Sequence, residues 1–229
     1  MTVRLISYSQ PPETEELRDM TPFDLISFCA RVSNPSNQSN KATSEKLIKY
    51  LIKHAHWSPF ELVNVCLEIE TTRDIAHQIV RHRSFSFQEF SQRYADPTQD
   101  LEFVTREARL QDTKNRQNSI PVDEDDIDYN GNNLSETWKQ RQRVIIAACN
   151  AAYKYAIDNG IAKEQARVVL PEGLTKTRMY MNGTIRSWIH YIQLRSANGT
   201  QKEHADIAIA CAKVIADVFP MIEEVTQNV

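Results

Sequence analysis

Glycine is scarce in this chain, and no two of its glycines stand close together. The five are Gly131, Gly160, Gly173, Gly183 and Gly199. The sequence therefore contains neither the GxGxxG turn nor the GxxxxGK loop with which many proteins cradle a phosphate. If the protein binds a nucleotide, arginine side chains and helix ends have to hold the phosphates.

Paired cysteines and long apolar runs are also missing. The four cysteines are Cys29, Cys66, Cys149 and Cys211. None forms a CxxC pair and none has a histidine placed locally to activate it, so we expect reduced core residues in a cytoplasmic protein. No N-terminal signal pattern and no membrane-length run is present, so no membrane partner is expected. The pair His54 and His56 lacks a carboxylate or cysteine at metal-binding spacing, so no metal is expected.

The charge balance argues against a general nucleic-acid binder. The 229 residues carry a formal net charge of -3, whereas a protein that tracks a phosphate backbone is normally basic. With 41% hydrophobic and 25% charged residues, the chain has the composition of an ordinary globular protein. Its length fits one domain, residues 1–229, and we expect its arginines to form a local site.

The pattern of apolar residues predicts an α+β fold, with mixed helices around a small antiparallel or mixed sheet. Strands are predicted over Thr2–Ser9, Leu62–Glu70 and Leu101–Thr105. Helices are predicted from Thr21-Pro22 to Cys29, after Thr43 or Ser44, from Thr72 or Asp74 to about Arg81, from a Ser135 cap to Asp158, and over Ala162–Leu170, Thr184–Arg195 and Gln201–Phe219.

Residues 111–133 differ from the rest of the chain. They are polar and include an acidic run over residues 123–128. Two interpretations stay open: a mobile loop or lid over a site, and a disordered insertion without consequence.

Residues 81–94 are the densest group of functional side chains. Three arginines, a histidine, a glutamate and serines are interleaved there with aromatics. Residues 85–94 are predicted to be extended, and period two then places Glu89, Ser91 and Arg93 on one face. This row of acceptor, hydroxyl and guanidinium suits a polar ligand with several distinct groups. The alternative is an exposed strand face.

Two further arginines interrupt apolar patterns. Arg195 falls at the edge of the apolar side of its predicted helix, and Arg167 interrupts an apolar run. An unpaired buried charge is costly, so Arg195 needs an acceptor. That acceptor is either a ligand or a carboxylate in a structural ion pair, and both alternatives stay open.

Arg81, His82 and Arg83, followed after seven residues by Ser91, resemble the RHRx7S signature of the flavin-dependent thymidylate synthases. Other blocks extend the resemblance over nearly the whole chain. They are residues 30–33 (ARVS), 56–61 (HWSPFE), 165–171 (QARVVLP) and 186–195, followed by Gln201 and Glu203.

The resemblance implies a homotetramer with shared active sites that converts dUMP to dTMP. It implies methylenetetrahydrofolate as carbon donor and NADPH as the reductant of a bound FAD. It implies FAD contacts from Ser33, Ser58, Arg81, His82, Arg83, Glu89, Thr184, Arg186 and His190. It implies dUMP contacts from Gln78, Arg81, Glu89, Ser91, Gln92, Arg93, Arg167 and Arg195. Among these, the resemblance implies that Arg195 is the catalytic residue, which polarises the uracil ring.

The chain departs from the family pattern at several positions. Gln88 stands where asparagine is frequent, and Leu62 stands where histidine is common. Thr184 and His190 replace two asparagines that commonly touch the flavin. Both can still form hydrogen bonds, with fewer groups than asparagine offers.

Two other classes of function stay open from the residues alone. A nucleotide-binding or RNA-binding module could use arginines and aromatics without catalysis, but the net acidity of the chain counts against it. A structural oligomer with arginine-lined interfaces would leave the placement of Glu89 and Ser91 unexplained.

Overall fold

The computed structural model describes residues 1–15 and 17–226. Its centre is a four-stranded antiparallel sheet in the order β1-β2-β6-β3. The strands are β1 (Thr2–Tyr8), β2 (Asn64–Thr72), β3 (Ser86–Glu89) and β6 (Lys176–Thr184), and β4 (Arg109–Gln111) pairs with β5 (Ser119–Pro121) in a separate hairpin. The α+β prediction is confirmed, and the sheet is antiparallel throughout.

The helices lie between and after these strands along the chain. They are α1 (Pro22–Ala30), α2 (Ser44–Lys53), α3 (Arg73–Ile79), α4 (Pro97–Asp100), α5 (Leu134–Asp158), α6 (Lys163–Ala166), α7 (Ile185–Ser196), α8 (Lys202–Ala216) and α9 (Ile222–Thr226). The described helices include none that is long and apolar enough to cross a membrane.

Strand β6 is the strand of the central sheet that sequence analysis missed. It pairs with β2 on one side and β3 on the other, so it holds the sheet together. Its burial alternates with period two, which places Met179 and Met181 in the core. At Gly183 an added Cβ would lie 2.4 Å from the ring of Phe85, so the close approach of this ring to the end of β6 requires glycine there.

Helix ends follow the predicted chemistry at α1 and depart from it at α5. Thr21 and Asp24 form a reciprocal capping box at the start of α1, as the Thr-Pro pair indicated. The predicted Ser135 cap of α5 is wrong. Asn133 accepts from the backbone N–H of Glu136 instead, because an asparagine one residue before the helix has the reach that a cap needs.

Helices α7 and α8 pack on the sheet and form most of the core with it. Trp188, Ile189 and Ile192 of α7 are buried, as are Ile207 and Cys211 of α8. This packing places the last turn of α7 beside the first turn of α8. A smaller cluster joins α5 to α6 and the 3-10 turn over residues 167–169, where the predicted single helix Ala162–Leu170 divides.

Three predicted segments differ from the structure. The extended run over residues 85–94 stops at Glu89, because the chain turns away from β6 after Phe90, whose N–H makes the last hydrogen bond to that strand. Leu101–Thr105 is not a strand and contributes one isolated bridge, Phe103 to Thr175. Residues 111–133 begin in the β4–β5 hairpin and continue in turns. Their mobility stays a prediction.

Candidate active site

The candidate site lies where α3, α7 and α8 meet beside the strand ends. Helix α3 follows β2 directly and ends at Ile79, so residues 81–83 lie in the turn before β3. Thr184 ends β6 and caps α7, with its Oγ1 accepting from the backbone N–H of Ser187. Short connections at strand ends thus bring distant parts of the sequence together.

Arg195 contacts a histidine rather than a carboxylate. Its Nε donates to Nε2 of His82 over 2.9 Å. Burial, and then the charge of Arg195, lowers the pKa of His82 to about 4, so the ring is neutral near pH 7 and accepts this hydrogen bond. Within residues 1–15 and 17–226 no carboxylate forms an ion pair with Arg195. The alternative in which Arg195 forms a structural ion pair therefore has no carboxylate partner among these residues.

Gln78 belongs to a hydrogen-bonded network that reaches α8. Its amide nitrogen donates to Oε1 of Gln201 over 2.8 Å. Its Oε1 lies 3.2 Å from Nδ1 of the buried His204, whose Nε2 lies 3.1 Å from the Tyr191 hydroxyl. Gln201 in turn donates to Oε2 of Glu203 over 2.9 Å. Gln201 and His204 therefore hold the Gln78 amide directly, while Glu203 contacts only Gln201 and Tyr191 contacts only His204 in this network.

Glu61 anchors the start of α7. Its carboxylate pairs with Arg186 and accepts from Oγ1 of Thr184 over 2.9 Å. The Arg186 hydrogen bond is the main reason that the pKa of Glu61 is lowered. His190 lies one turn further along, with its ring 4.8 Å from that of Trp57, and burial lowers its pKa. Thr184, Arg186 and His190, all predicted flavin ligands, are thus neighbours.

Glu89 is held by two side chains at the end of β3. Arg73 donates to its Oε1 over 3.1 Å, and the Thr177 hydroxyl donates to the same atom over 2.8 Å. Arg73 also lies 3.6 Å from Oε1 of Glu172. Both members of the Arg73–Glu89 pair are largely buried, with 14% and 21% of their side chains exposed. The carboxylate of Glu89 is therefore fixed before any ligand arrives.

A cavity of about 440 Å³ lies next to this pair. Arg73, Gln92 and Arg167 line it, together with Glu164. Gln92 is 4% exposed, and its amide nitrogen has no hydrogen-bond partner among the described residues. Arg93 pairs with Glu164 at the rim over 3.3 Å. The cavity combines two guanidinium groups and a buried amide donor, which suit an anionic oxygen group, with the carboxylates of Glu164 and Glu172.

Other predicted site residues are not brought into contact with these groups. Ser33 and Ser58 are exposed, one in the turn after α1 and the other at the start of a 3-10 turn. Arg81 and Arg83 are exposed on the turn after α3 and have no side-chain partner in the described part of the chain. The Ser91 hydroxyl accepts a long hydrogen bond, 3.4 Å, from the backbone N–H of Arg93. The described residues contain no group of three His, Cys, Asp or Glu side chains that could hold a metal.

Sequence reasoning missed three residues of this site. Glu61 stood inside a quoted block, but no role was assigned to it. His204 had a signal, since it continues the buried spacing of Ile207, Ala208 and Cys211 along α8. Arg73 had none, because it lies on α3 and its partner Glu89 lies on β3, so the contact depends on how these two elements pack.

Comparison with known proteins identifies the family. Residues 16–221 match the model of the family described as thymidylate synthase complementing protein. The chain is 48% identical over 223 residues to the probable flavin-dependent thymidylate synthase of Paramecium bursaria Chlorella virus 1, covering 97% of both chains. The chain belongs to the flavin-dependent thymidylate synthase family.

A second member of this flavin-dependent thymidylate synthase family is nearly as similar. The enzyme of Synechocystis is 46% identical over 222 residues, covering 97% of both chains. Among solved structures, the UMP/dUMP methylase PolB from Streptomyces cacaoi bound with 5-Br UMP superposes with a TM-score of 0.75. The match covers 99% of this chain and 93% of PolB at 23% sequence identity, and it shows a shared fold.

Proposed function

We propose that this protein converts dUMP to dTMP by reductive methylation, with methylenetetrahydrofolate as carbon donor and NADPH as the reductant of FAD. This is the reaction class of the family to which the chain belongs. The observation that carries the proposal within the site is the pairing of Arg195 with a neutral histidine. The guanidinium keeps its full charge without a carboxylate in the described residues, so it is available to a substrate carbonyl.

The residues present fit a flavin dinucleotide. The Nε atom of Arg186 is buried without a hydrogen-bond partner among the described residues, and the charges of Arg81 and Arg83 are unpaired there. An FAD pyrophosphate supplies acceptors for such groups without a glycine loop. We assign the FAD contacts to Ser33, Ser58, Arg81, His82, Arg83, Glu89, Thr184, Arg186 and His190. Bound FAD carries hydride, which no side chain here can do.

We assign dUMP to the side of the site formed by β3 and α3. Gln92 and Arg167 line the cavity next to the Arg73–Glu89 pair, where the substrate phosphate finds charged donors. The proposed dUMP ligands are Gln78, Arg81, Glu89, Ser91, Gln92, Arg93, Arg167 and Arg195. Arg195 acts on the uracil ring: a fixed guanidinium stabilises negative charge that develops on a carbonyl oxygen and so raises the nucleophilicity of C5.

We also propose that the active protein is a homotetramer whose subunits share active sites. The 25-residue helix α5 buries only Gln142, Tyr153 and Ala156. Val144, Ile145 and Tyr155 are 58%, 46% and 67% exposed on it. Such a long apolar surface on one helix is typical of an interface between subunits. In such an assembly, a neighbouring subunit completes the binding site around the exposed Arg81 and Arg83.

We propose a cytoplasmic location in addition. All four cysteines are free thiols, which fits a reducing compartment. Nucleic acid is not among the proposed partners, since the net charge is -3, and membranes are not, since the sequence has no apolar run of membrane length.

The function is tested with purified protein. A flavin absorbance spectrum, with FAD identified after heat release, is expected first. Formation of dTMP is then expected to depend on dUMP, methylenetetrahydrofolate and NADPH together. A protein that takes up no FAD and forms no dTMP with all three present contradicts the proposal.

A further inference from the structure

His204 is a buried histidine in the first turn of α8, and both of its ring nitrogens have partners. Its residue exposure is 0%. Nδ1 lies 3.2 Å from Oε1 of Gln78, and Nε2 lies 3.1 Å from the hydroxyl of Tyr191. Burial, followed by the charges of Arg195 and His82, lowers its pKa to about 3. The ring is therefore neutral, with one donor and one acceptor nitrogen.

The carboxylate of Glu203, at one end of this network, determines which group donates and which accepts in each hydrogen bond. An ionised carboxylate only accepts, so the amide nitrogen of Gln201 faces Glu203 and its oxygen faces Gln78. That oxygen requires a donor, so the amide nitrogen of Gln78 points to Gln201, and its Oε1 points to His204.

The tautomer of His204 is fixed by the same reasoning. Since Oε1 of Gln78 accepts, Nδ1 of His204 must carry the proton. Nε2 then keeps its lone pair and accepts from the Tyr191 hydroxyl. Rotating the Gln78 amide by half a turn would oppose donor to donor at His204 and acceptor to acceptor at Gln201. The network thus permits one orientation of this amide.

We propose that His204 is a positioning residue, which locks the side-chain amide of Gln78 so that its remaining N–H and lone pair meet dUMP in fixed directions. The inference rests on the proposed function, because it takes dUMP as the ligand of Gln78. A locked amide loses no rotational freedom when the nucleotide binds, and a flipped amide would present a lone pair where the nucleotide needs a donor.

Simple filling of the core does not require this residue. An apolar side chain of similar size would occupy the same volume without the cost of burying an imidazole. The chain instead buries a histidine and satisfies both nitrogens, one through Tyr191 in the core and the other through Gln78 at the site. The two contacts of one ring can therefore be separated experimentally.

The test uses two amide replacements and calorimetric titration of the FAD-loaded protein with dUMP. In His204→Asn the amide nitrogen comes close to the position of Nδ1, so the contact to Gln78 is kept. In His204→Gln the longer side chain reaches the position of Nε2, so the contact to Tyr191 is kept and that to Gln78 is lost. We expect His204→Gln to weaken dUMP binding by about 10-fold and His204→Asn to restore it to within about 3-fold of wild type.

A double-mutant cycle shows whether His204 acts through Gln78. In a Gln78→Ala background, His204→Gln is expected to change dUMP affinity no further. Tyr191→Phe is the control for stability: it lowers the melting temperature but leaves dUMP affinity within about 2-fold. Equal weakening by His204→Asn and His204→Gln, or an undiminished effect of His204→Gln without Gln78, overturns the proposal.

Nitrogen NMR of selectively labelled histidines separates this inference from the proposed function. The His204 signal, assigned by its loss in His204→Asn, is expected to show the neutral ring with its proton on Nδ1 in ligand-free protein. A proton on Nε2, or a charged ring near pH 7, overturns the positioning role. If the signal is as expected but wild type does not bind dUMP, the proposed function fails and the role toward dUMP falls with it.

Discussion

Arg195 at the end of α7 donates through Nε to Nε2 of His82, 113 positions earlier in the chain, over 2.9 Å. The acceptor is neutral, because burial and the guanidinium itself keep the pKa of His82 at about 4. The contact orients the guanidinium and leaves its charge uncompensated. A carboxylate at the same place would hold Arg195 equally well but would neutralise the charge that the proposed reaction needs.

Replacing Arg195 is expected to abolish most turnover while sparing flavin reduction. Arg195→Ala should lower the rate of dTMP formation by about 100-fold or more, the scale seen when a fixed donor to developing charge is removed. Arg195→Lys should recover little, since a point charge does not reproduce the planar fork. Stopped-flow absorbance measures the two half-reactions separately. Reduction by NADPH should persist, and a folded Arg195→Ala protein with wild-type dTMP formation would contradict the assigned role.

The buried, neutral His204 is expected to make stability depend on pH. Its pKa is about 3 in the folded protein and 6.5 as a free side chain, so the unfolded chain binds the additional proton between these values. The contribution of the neutral His204 to the free energy of unfolding is complete above about pH 6.5 and is lost as the pH falls toward about 3. Urea unfolding of wild type and His204→Asn at several pH values in this range measures it. The stability advantage of wild type should shrink as the pH falls; an advantage that stays constant argues against the neutral ring.

Glu61 is expected to be needed for FAD binding, although it was not among the predicted ligands. Its two carboxylate oxygens hold Arg186 and Thr184, so Glu61→Gln removes the charge and replaces one of these two acceptors with an NH2 donor. Loss of one charge-assisted bond is expected to weaken FAD by about 10-fold. Fluorescence quenching on FAD-stripped protein measures the affinity.

A surface ion pair supplies the control for Glu61. Glu45 pairs with Lys49 over 2.8 Å and is 67% exposed, so Glu45→Gln should leave FAD affinity unchanged. If Glu61→Gln and Glu45→Gln behave alike, Glu61 has no special part in the flavin site.

Charges placed on the exposed face of α5 are expected to break the assembly without unfolding the subunit. Val144→Asp and Ile145→Asp change side chains that are 58% and 46% exposed in the isolated chain, so the circular dichroism spectrum should hardly change. Light scattering should show smaller species, and dTMP formation should fall with them. Ile127→Asp, at a position 67% exposed outside α5, is the matched control and should keep the wild-type mass. A wild-type protein of 26.4 kDa in solution would contradict the tetramer itself.

Local chemistry allowed part of the fold to be predicted. The capping box at Thr21 and Asp24 and the alternation in β1 depend on neighbouring residues, so short windows of sequence were sufficient. Strand β6 also alternates, but its ends depend on pairing with β2 and β3. Position 183 requires glycine because the ring of Phe85, almost a hundred positions away in the chain, leaves no room for a side chain there.

The sequence by itself determined the family, the arginine-rich composition of the site and the reaction class, because the RHRx7S block and its companions are local patterns of residue type. Only the tertiary structure decided which of these side chains meet. His204 and Gln78 lie 126 positions apart, and Arg73 meets Glu89 because β3 and α3 both adjoin β6. Hydrogen bonds of this kind need distances near 3 Å, and packing of whole helices on the sheet, rather than any short pattern, sets such distances.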